Sequence, residues 1–221
     1  HALVATEDER FYEHSGIDFI ALGRALIKRG LFGQASAGGG STITQQLAKQ
    51  LYSIQVHSSL ERLLQKPIEW VIAVKLERYY TKEEIIALYL NYFDFLHNAV
   101  GIKTAANTYF NKEPADLTTT EAAMLVGLCK NPSLFNPVRF PERARDRRNV
   151  VLRQMLKAGY LNEDEYSEFC EMPLALNFHR TDHKDGNATY FREFLRQYMM
   201  AEKPKLESYP AWNRVQYALD S

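Results

Sequence analysis

One segment, residues 38–50 with the sequence GGGSTITQQLAKQ, constrains the fold of this chain more than any other stretch. Its three glycines have no side chains, so the backbone can approach other groups closely. Ser41 or Thr42 can cap a helix, and Gln45 lies three residues after Thr42, which is the spacing of a capping box. Apolar residues then recur with near-helical spacing at Ile43, Leu47 and Leu51. A helix is therefore predicted over about residues 42–52. A glycine loop before a helix N-terminus is typical of an anion-binding corner, and also of an ordinary loop followed by a capped helix.

The rest of the chain also predicts helices. Hydrophobic periodicity and cap residues indicate them over about residues 18–33, 60–80, 81–91, 102–110, 118–128, 139–156, 162–169 and 189–200. Pro67 interrupts the second of these, so its continuous part is expected to start near Lys66. The helix over residues 139–156 is basic, and a solvated face explains it better than nucleic-acid binding. The fold class is therefore mainly α.

Composition excludes several classes of protein. The 27 Lys and Arg residues balance the 27 Asp and Glu residues, so net charge indicates no nucleic-acid partner. Cys129 and Cys170 are too few for a disulfide framework and have no metal-ligand spacing around them. No apolar run reaches the roughly 18 residues of a membrane-spanning helix. Because the chain begins at His1, we expect it to be a piece of a longer protein.

Two carboxylates are candidate catalytic groups. Glu7 lies in an acidic cluster after a short apolar segment, where it could be a general acid or base or part of a solvated helix start. Glu69 lies in an otherwise apolar helical stretch, where it either pairs with Lys66 for structure or faces a cleft. Two acids on either side of a sugar bond are typical of glycosyl chemistry. A phosphate-binding corner beside them, in which Lys49 adds a positive charge, would suit a glycosyl diphosphate donor.

Five segments, in order, resemble the motifs of the glycosyltransferase domain of class A penicillin-binding proteins. They are ATEDERFYEHSG (5–16), GGSTITQQLAK (39–49), QKPIE (65–69), KEEIIALYLN (82–91) and EAAMLVGLCKNPSLFNP (121–137). The resemblance implies a lysozyme-like helical domain with a larger head lobe and a smaller, membrane-associated jaw lobe. It assigns residues 1–178 to that domain, truncated before an N-terminal membrane anchor. Residues 179–221 resemble the start of a linker towards an absent transpeptidase domain; the chain has no S-x-x-K or K-T-G sequence.

The family resemblance also implies a reaction. Such enzymes polymerise lipid II into β-1,4-linked glycan strands, invert MurNAc C1 and release undecaprenyl diphosphate at the extracytoplasmic face of the bacterial inner membrane. Glu7 would be the base that takes the proton of the GlcNAc 4-hydroxyl, and Glu69 would orient groups or stabilise charge on the diphosphate side. The implied substrate-binding positions are Asp8, Ser41, Thr42, Gln46, Lys49, Lys66, Tyr89, Lys130 and Ser133.

The resemblance further implies several partners. These are lipid II, the nascent glycan strand, the membrane surface and a covalently linked transpeptidase domain, with moenomycin as an inhibitor. It implies no required cofactor, although a divalent cation such as Mg²⁺ assists some members of the family; no metal ligand cluster is visible in the sequence.

The sequence departs from the family pattern at three places and leaves two alternatives open. Gln65 replaces an arginine, Gln50 stands where asparagine is usual, and residues 92–101 differ from the usual aromatic-glycine turn. One alternative is a lytic, glycan-cleaving enzyme of the same fold, which needs an acid glutamate but no phosphate corner. The other is a catalytically silent lipid-binding module.

Overall fold

The computed structural model describes residues 1–32, 40–52 and 59–179, together with residues 190, 191, 194, 195, 197 and 198. The helices are α1 (Ala2–Glu7), α2 (Phe19–Phe32), α3 (Ile43–Tyr52), α4 (Ser59–Tyr79), α5 (Lys82–Tyr92), α6 (Ile102–Phe110), α7 (Thr119–Leu128), α8 (Pro141–Lys157) and α9 (Glu163–Glu171). Within these ranges the extended pairing is a single antiparallel bridge between Asp94 and Val100. The mainly α prediction is confirmed, whereas the division into lobes stays a prediction.

Local cap signals place several helix starts. Thr81 and Thr118 each form a reciprocal capping box with the glutamate three residues later. Asp18 caps α2 by accepting the backbone N–H groups of Ile20 and Ala21, both at 2.9 Å. These starts lie where the sequence predicted them.

One predicted boundary was wrong. Helix α4 continues through Pro67, because a proline removes only one intrahelical hydrogen bond and the turns on both sides remain helical. The predictions for residues 33–39, 53–58 and 199–221 lie outside the described residues.

The helices enclose two neighbouring apolar clusters. In the first, α3 packs against α4 and α5, while α1 packs against α7 and α8. The fully buried side chains of Phe11, Ile43 and Leu47 lie at its centre. The second is built around α6 and α7 and contains Phe95 and Tyr109.

A polar link ties α3, α4 and α5 to the loop that follows α1. Glu77 accepts a hydrogen bond from the Thr44 hydroxyl at 2.6 Å and pairs with Lys82 at 2.7 Å. The Lys82 ammonium also donates to the His14 carbonyl at 2.6 Å. The link fixes this loop against the helices that carry the second and fourth sequence motifs.

The basic helix α8 is not simply a solvated face. Arg148 is 1% exposed and donates to the carbonyls of Cys170 (3.1 Å) and Met172 (2.7 Å). The last carbonyls of a helix such as α9 have no intrahelical partner, and the guanidinium fork satisfies them. The expectation of a solvated face was therefore wrong for this side of α8.

The chain divides into two compact units, His1–Arg180 and Thr181–Ser221. In the first, the segment after α9 ends against α6, where Asn177 N–H donates to the Tyr109 carbonyl at 3.0 Å. In the second, the described positions within residues 190–198 are helical, as predicted. Among the described helices, none combines the length and the apolar character needed to cross a bilayer.

Candidate active site

A cleft of about 660 Å³ lies between α1, α3, α4 and the α7–α8 corner. Of the residues singled out in the sequence, it is lined by Glu7, Ser41, Gln46, Lys49, Lys66, Glu69 and Lys130. Thr6, Gln45, Cys129, Arg147, Val150 and Gln154 complete the lining. The first, second, third and fifth motifs thus contribute to one cavity.

Glu7 is the last residue of α1, and its side chain is only 13% exposed. Its Oε1 lies 3.5 Å from Arg147 Nη2, and its Oε2 accepts a hydrogen bond from Gln46 Nε2 at 3.1 Å. The alternative of a solvated helix start is therefore wrong. The structure shows a carboxylate at the wall of a cleft that accepts a hydrogen bond from Gln46 and has the Arg147 guanidinium as its cationic neighbour.

The Gln46 amide is oriented from behind by Tyr89. The fully buried Tyr89 hydroxyl donates to Gln46 Oε1 at 3.1 Å, which leaves the NH₂ group of that amide facing Glu7. Burial raises the pKa of the Tyr89 hydroxyl far above its usual range, so the hydroxyl remains a donor. Tyr89 is not part of the cleft lining, and its place in the structure is that of a positioning residue.

We expect Tyr89→Phe to lower the turnover of this site about 2- to 10-fold, because the Gln46 amide loses the bond that fixes its orientation. The matched control is Tyr109→Phe, which deletes another buried hydroxyl, donating to the Phe95 carbonyl at 2.7 Å outside the cleft. Both changes should lower the free energy of unfolding by about 0.5–1.5 kcal/mol. Only Tyr89→Phe should change the rate, measured as product formed per enzyme; equal rates in the two variants would contradict the positioning role.

Asp8 is also behind the cleft wall, with 8% of its surface exposed. Its Oδ2 accepts the Ile43 backbone N–H at 3.0 Å, and its Oδ1 lies 3.0 Å from His14 Nε2. Gly16 N–H donates to His14 Nδ1, so the ring proton is on Nε2 and is donated to Asp8. Asp8 therefore joins the loop after α1 to the first turn of α3, and it does not line the cleft.

Thr42 makes a second connection of the same kind. Its buried hydroxyl donates to the Gly16 carbonyl at 2.7 Å and accepts the Gln45 backbone N–H at 3.1 Å, which caps α3. The Gln45 side-chain amide also donates to the Gly16 carbonyl, at 3.3 Å. The predicted cap is present, but the structure gives Thr42 a scaffold position in place of a ligand-facing one.

Positive charge collects beside Glu7. Lys49 and Lys130 line the cleft, and within the described part of the chain neither pairs with a carboxylate. Lys66 pairs with Glu69 at 2.7 Å, and both also line the cleft. The two alternatives weighed for Glu69, an ion pair and a cleft-facing acid, are thus both realised. Unpaired cations in a concave site favour an anionic ligand.

The remaining candidate positions lie outside the lining. Ser133 is exposed on the turn after α7. Gln65 and Gln50, two of the departures from the family pattern, are not in the cleft wall either. Gln50 Oε1 is buried and has no hydrogen-bond partner among the described residues. Ser133 therefore does not share the cavity of the other predicted residues.

Arg147 is the main site residue that sequence reasoning missed. It lies in a run of charges on α8, and only its seven-residue spacing to Gln154, on one helix face, could have indicated a shared surface. The contact with α7 is close: a Cβ added to Gly127 would lie 3.2 Å from Arg147 Cγ. The absence of a side chain at Gly127 gives Arg147 its path to Glu7.

Cys129 was also missed as part of the cleft wall. Burial, together with the nearby Glu7 carboxylate, raises the pKa of its thiol well above the usual range. A neutral thiol is a poor nucleophile, so Cys129 forms part of the wall. Among the described residues, no group of three or more His, Cys, Asp or Glu side chains could hold a metal ion.

Comparison with known proteins places this geometry in a family. A family model described as Transglycosylase matches residues 1–156. The chain belongs to the transglycosylase family. The predicted resemblance to the glycosyltransferase domain of class A penicillin-binding proteins is thereby confirmed, and the domain is an enzyme of the glycosyltransferase class.

The relatives of this transglycosylase are longer proteins. It is 40% identical to penicillin-binding protein 1A of Aquifex aeolicus and to that of Escherichia coli, in each case over 90% of this chain, and covers 26% and 23% of their lengths. It is 43% identical to penicillin-binding protein 1F of Bacillus subtilis over 74% of this chain and 22% of that protein. A crystal structure of penicillin-binding protein 1A from Haemophilus influenzae matches 72% of this chain and 19% of its own, with a TM-score of 0.44 and 28% identity. The chain thus spans about a quarter of the length of the curated relatives it matches.

Proposed function

We propose that this transglycosylase polymerises lipid II into β-1,4-linked peptidoglycan strands. The observation that supports it most is the placement of the Glu7 carboxylate in the same cleft as Lys49 and Lys130, neither of which pairs with a carboxylate among the described residues. Glycosyl transfer from a diphosphate donor requires a base for the attacking hydroxyl and cations for the leaving group.

The proposed step is an inverting displacement. Glu7 takes the proton of the GlcNAc 4-hydroxyl of one lipid II molecule, and the resulting oxygen attacks MurNAc C1 of the growing strand. The bond from C1 to the phosphate oxygen breaks, and undecaprenyl diphosphate leaves with the electron pair. Lys49 and Lys130 stabilise the charge that develops on it, and the Lys66–Glu69 pair orients the diphosphate side. The proposed step needs no resident cofactor. A divalent cation, where one is bound, would neutralise charge on the diphosphate.

The lytic alternative is less well supported. Cleavage of a neutral glycan requires an acid or base glutamate, but it gives no role to two cleft lysines without carboxylate partners. A silent lipid-binding module would use the lysines but would not need a carboxylate held by both Arg147 and Gln46.

The proposed location is the extracytoplasmic face of the bacterial inner membrane, where the lipid-linked substrates would lie. Exposed apolar side chains on α2 (Phe19, 69%; Ile20, 58%) and α4 (Ile68, 50%; Val71, 57%) support contact with a membrane surface. The shared domain in the longer penicillin-binding proteins supports a transpeptidase domain linked to this one in the parent protein.

The function can be tested with purified protein and lipid II in detergent. We expect long glycan polymer and free undecaprenyl diphosphate, and we expect Lys49→Met or Lys130→Met to lower the rate about 10- to 100-fold. Lys103→Met, at a side chain 74% exposed, should leave the rate unchanged.

Other outcomes would favour the alternatives. Soluble fragments released from preformed glycan would support the lytic enzyme, and binding of lipid II without turnover would support the silent module. Chelation with EDTA tests for a divalent cation. We expect the rate to be unchanged, and a loss of rate that Mg²⁺ restores would show that a divalent cation takes part.

A further inference from the structure

The wall formed by α1 and α8 extends beyond the Glu7–Arg147 pair. The two helices run antiparallel, since Glu7 meets Arg147 at one end and the His1 ring contacts the Tyr160 ring at the other, with centroids 4.3 Å apart. Residues of α8 after Arg147 therefore follow α1 back from Glu7 towards its first residue.

Beyond Arg147, the residues of α8 that line the cleft are uncharged. Arg147, Val150 and Gln154 are spaced by three and four residues, so they share one helix face, and all three line the cleft. Gln154 lies about 10 Å along the axis from Arg147. The charged side chains that follow Arg147 up to Gln154 are both outside the lining: Arg148 is buried against the end of α9, and Arg153 donates to the Tyr166 hydroxyl.

The same part of the cleft wall, formed by Thr6, Val150 and Gln154, also has polar atoms without hydrogen-bond partners. The Oγ1 atom of Thr6, which precedes Glu7, is buried and has no hydrogen-bond partner in the described part of the chain. The Gln154 amide, in the same lining, makes no hydrogen bond there either. Buried polar atoms without partners, such as Thr6 Oγ1, are rare and call for a bound water or ligand group. Gln154 is only partly buried, and its amide is open to the cleft.

We propose that Thr6, Val150 and Gln154 form the subsite for the acetamido sugar that carries the attacking hydroxyl. The hydroxyl of Thr6 and the amide of Gln154 match the hydroxyl and amide groups of a neutral N-acetylhexosamine, and Val150, 37% exposed, offers an apolar contact for the acetyl methyl. The inference rests on the proposed polymerase function, because it assigns the acceptor sugar to one side of Glu7 and the diphosphate to the lysines.

The structure suggests a test that separates the two substrates. A lipid-linked glycan primer is the donor, lipid II is the acceptor, and each concentration is varied in turn. For Gln154→Leu and Thr6→Val we expect kcat/KM for the acceptor to fall about tenfold with the donor KM unchanged. Asp146→Asn, an exposed change elsewhere on α8, is the matched control and should change neither.

A modified acceptor makes the test specific. An acceptor lipid II whose GlcNAc lacks the N-acetyl group should react about tenfold more slowly than lipid II with the wild type, and Gln154→Leu should remove most of that difference. Equal acceptor parameters in Gln154→Leu and the wild type, or a change confined to the donor KM, would overturn the subsite. Absence of polymer from the wild type itself would overturn the proposed function instead.

Discussion

Glu7→Gln is expected to lower the rate of lipid II polymerisation by about 10²–10⁴-fold. Glutamine has nearly the same shape and can still accept the hydrogen bond from Gln46 through its one amide oxygen, but it loses the charge that pairs with Arg147 and cannot accept the proton of the attacking hydroxyl. The loss should appear in kcat with little change in KM, because the contribution of a base is made in the transition state. The measurement is the initial rate of polymer formation at saturating lipid II.

Glu9→Gln is the matched control for Glu7→Gln. Glu9 lies two residues further on, is exposed and does not line the cleft, so its replacement should leave the rate within about twofold of the wild type. Thermal unfolding of both variants would show that the fold is kept. A Glu7→Gln variant that polymerises at the wild-type rate would remove Glu7 from the role of base.

Gly16→Ala is expected to cause a large loss of stability. Gly16 has φ +92°, and an added Cβ would lie 2.9 Å from the backbone carbon of Ala73. The strain of a positive φ and the overlap with backbone atoms together cost roughly 2–6 kcal/mol. The Gly16 carbonyl also accepts hydrogen bonds from Thr42 and Gln45, so a shift here would displace the start of α3 and lower activity as well.

Two other glycines allow the penalty of a positive φ to be separated from the steric overlap. Gly159 has φ +76° with nothing within 4 Å of an added Cβ, so Gly159→Ala should cost only the conformational penalty, roughly 1–2 kcal/mol. Gly23 lies inside α2 with open space around it, and Gly23→Ala should stabilise by about 0.5–1 kcal/mol. Urea unfolding measures the free energy of unfolding of all three variants. A Gly16→Ala variant as stable as Gly159→Ala would contradict the close approach of Gly16 to α4.

Local rules predicted the parts of the fold that depend on neighbouring residues. The boxes at Thr81 and Thr118, and the cap at Asn162, are satisfied by groups within three positions. The long helix across Pro67 was predicted less well, because packing against α3 lies outside any local window.

The motifs located the site more reliably than they described what each residue does. They identified Glu7 and Lys49 in one cleft, but a motif does not show whether a side chain faces the ligand or lies behind the wall. Asp8, Thr42 and Tyr89 are motif residues whose hydrogen bonds are made to protein groups. Arg147 and Gln154 lie about 140 residues from Glu7 in the sequence, and only the packing of α8 on α1 brings them there.

The contact between Gly127 and Arg147 makes the proposed chemistry depend on a residue that has no functional group of its own. A Cβ at this position of α7 would lie 3.2 Å from Arg147 Cγ, so the Arg147 side chain would have to shift by a few tenths of an ångström, and a larger side chain would require a larger shift. Such a shift changes the distance between the Arg147 guanidinium and the Glu7 carboxylate while every helix stays in place. A search for reactive side chains would pass over this position, although the charge next to the base depends on it.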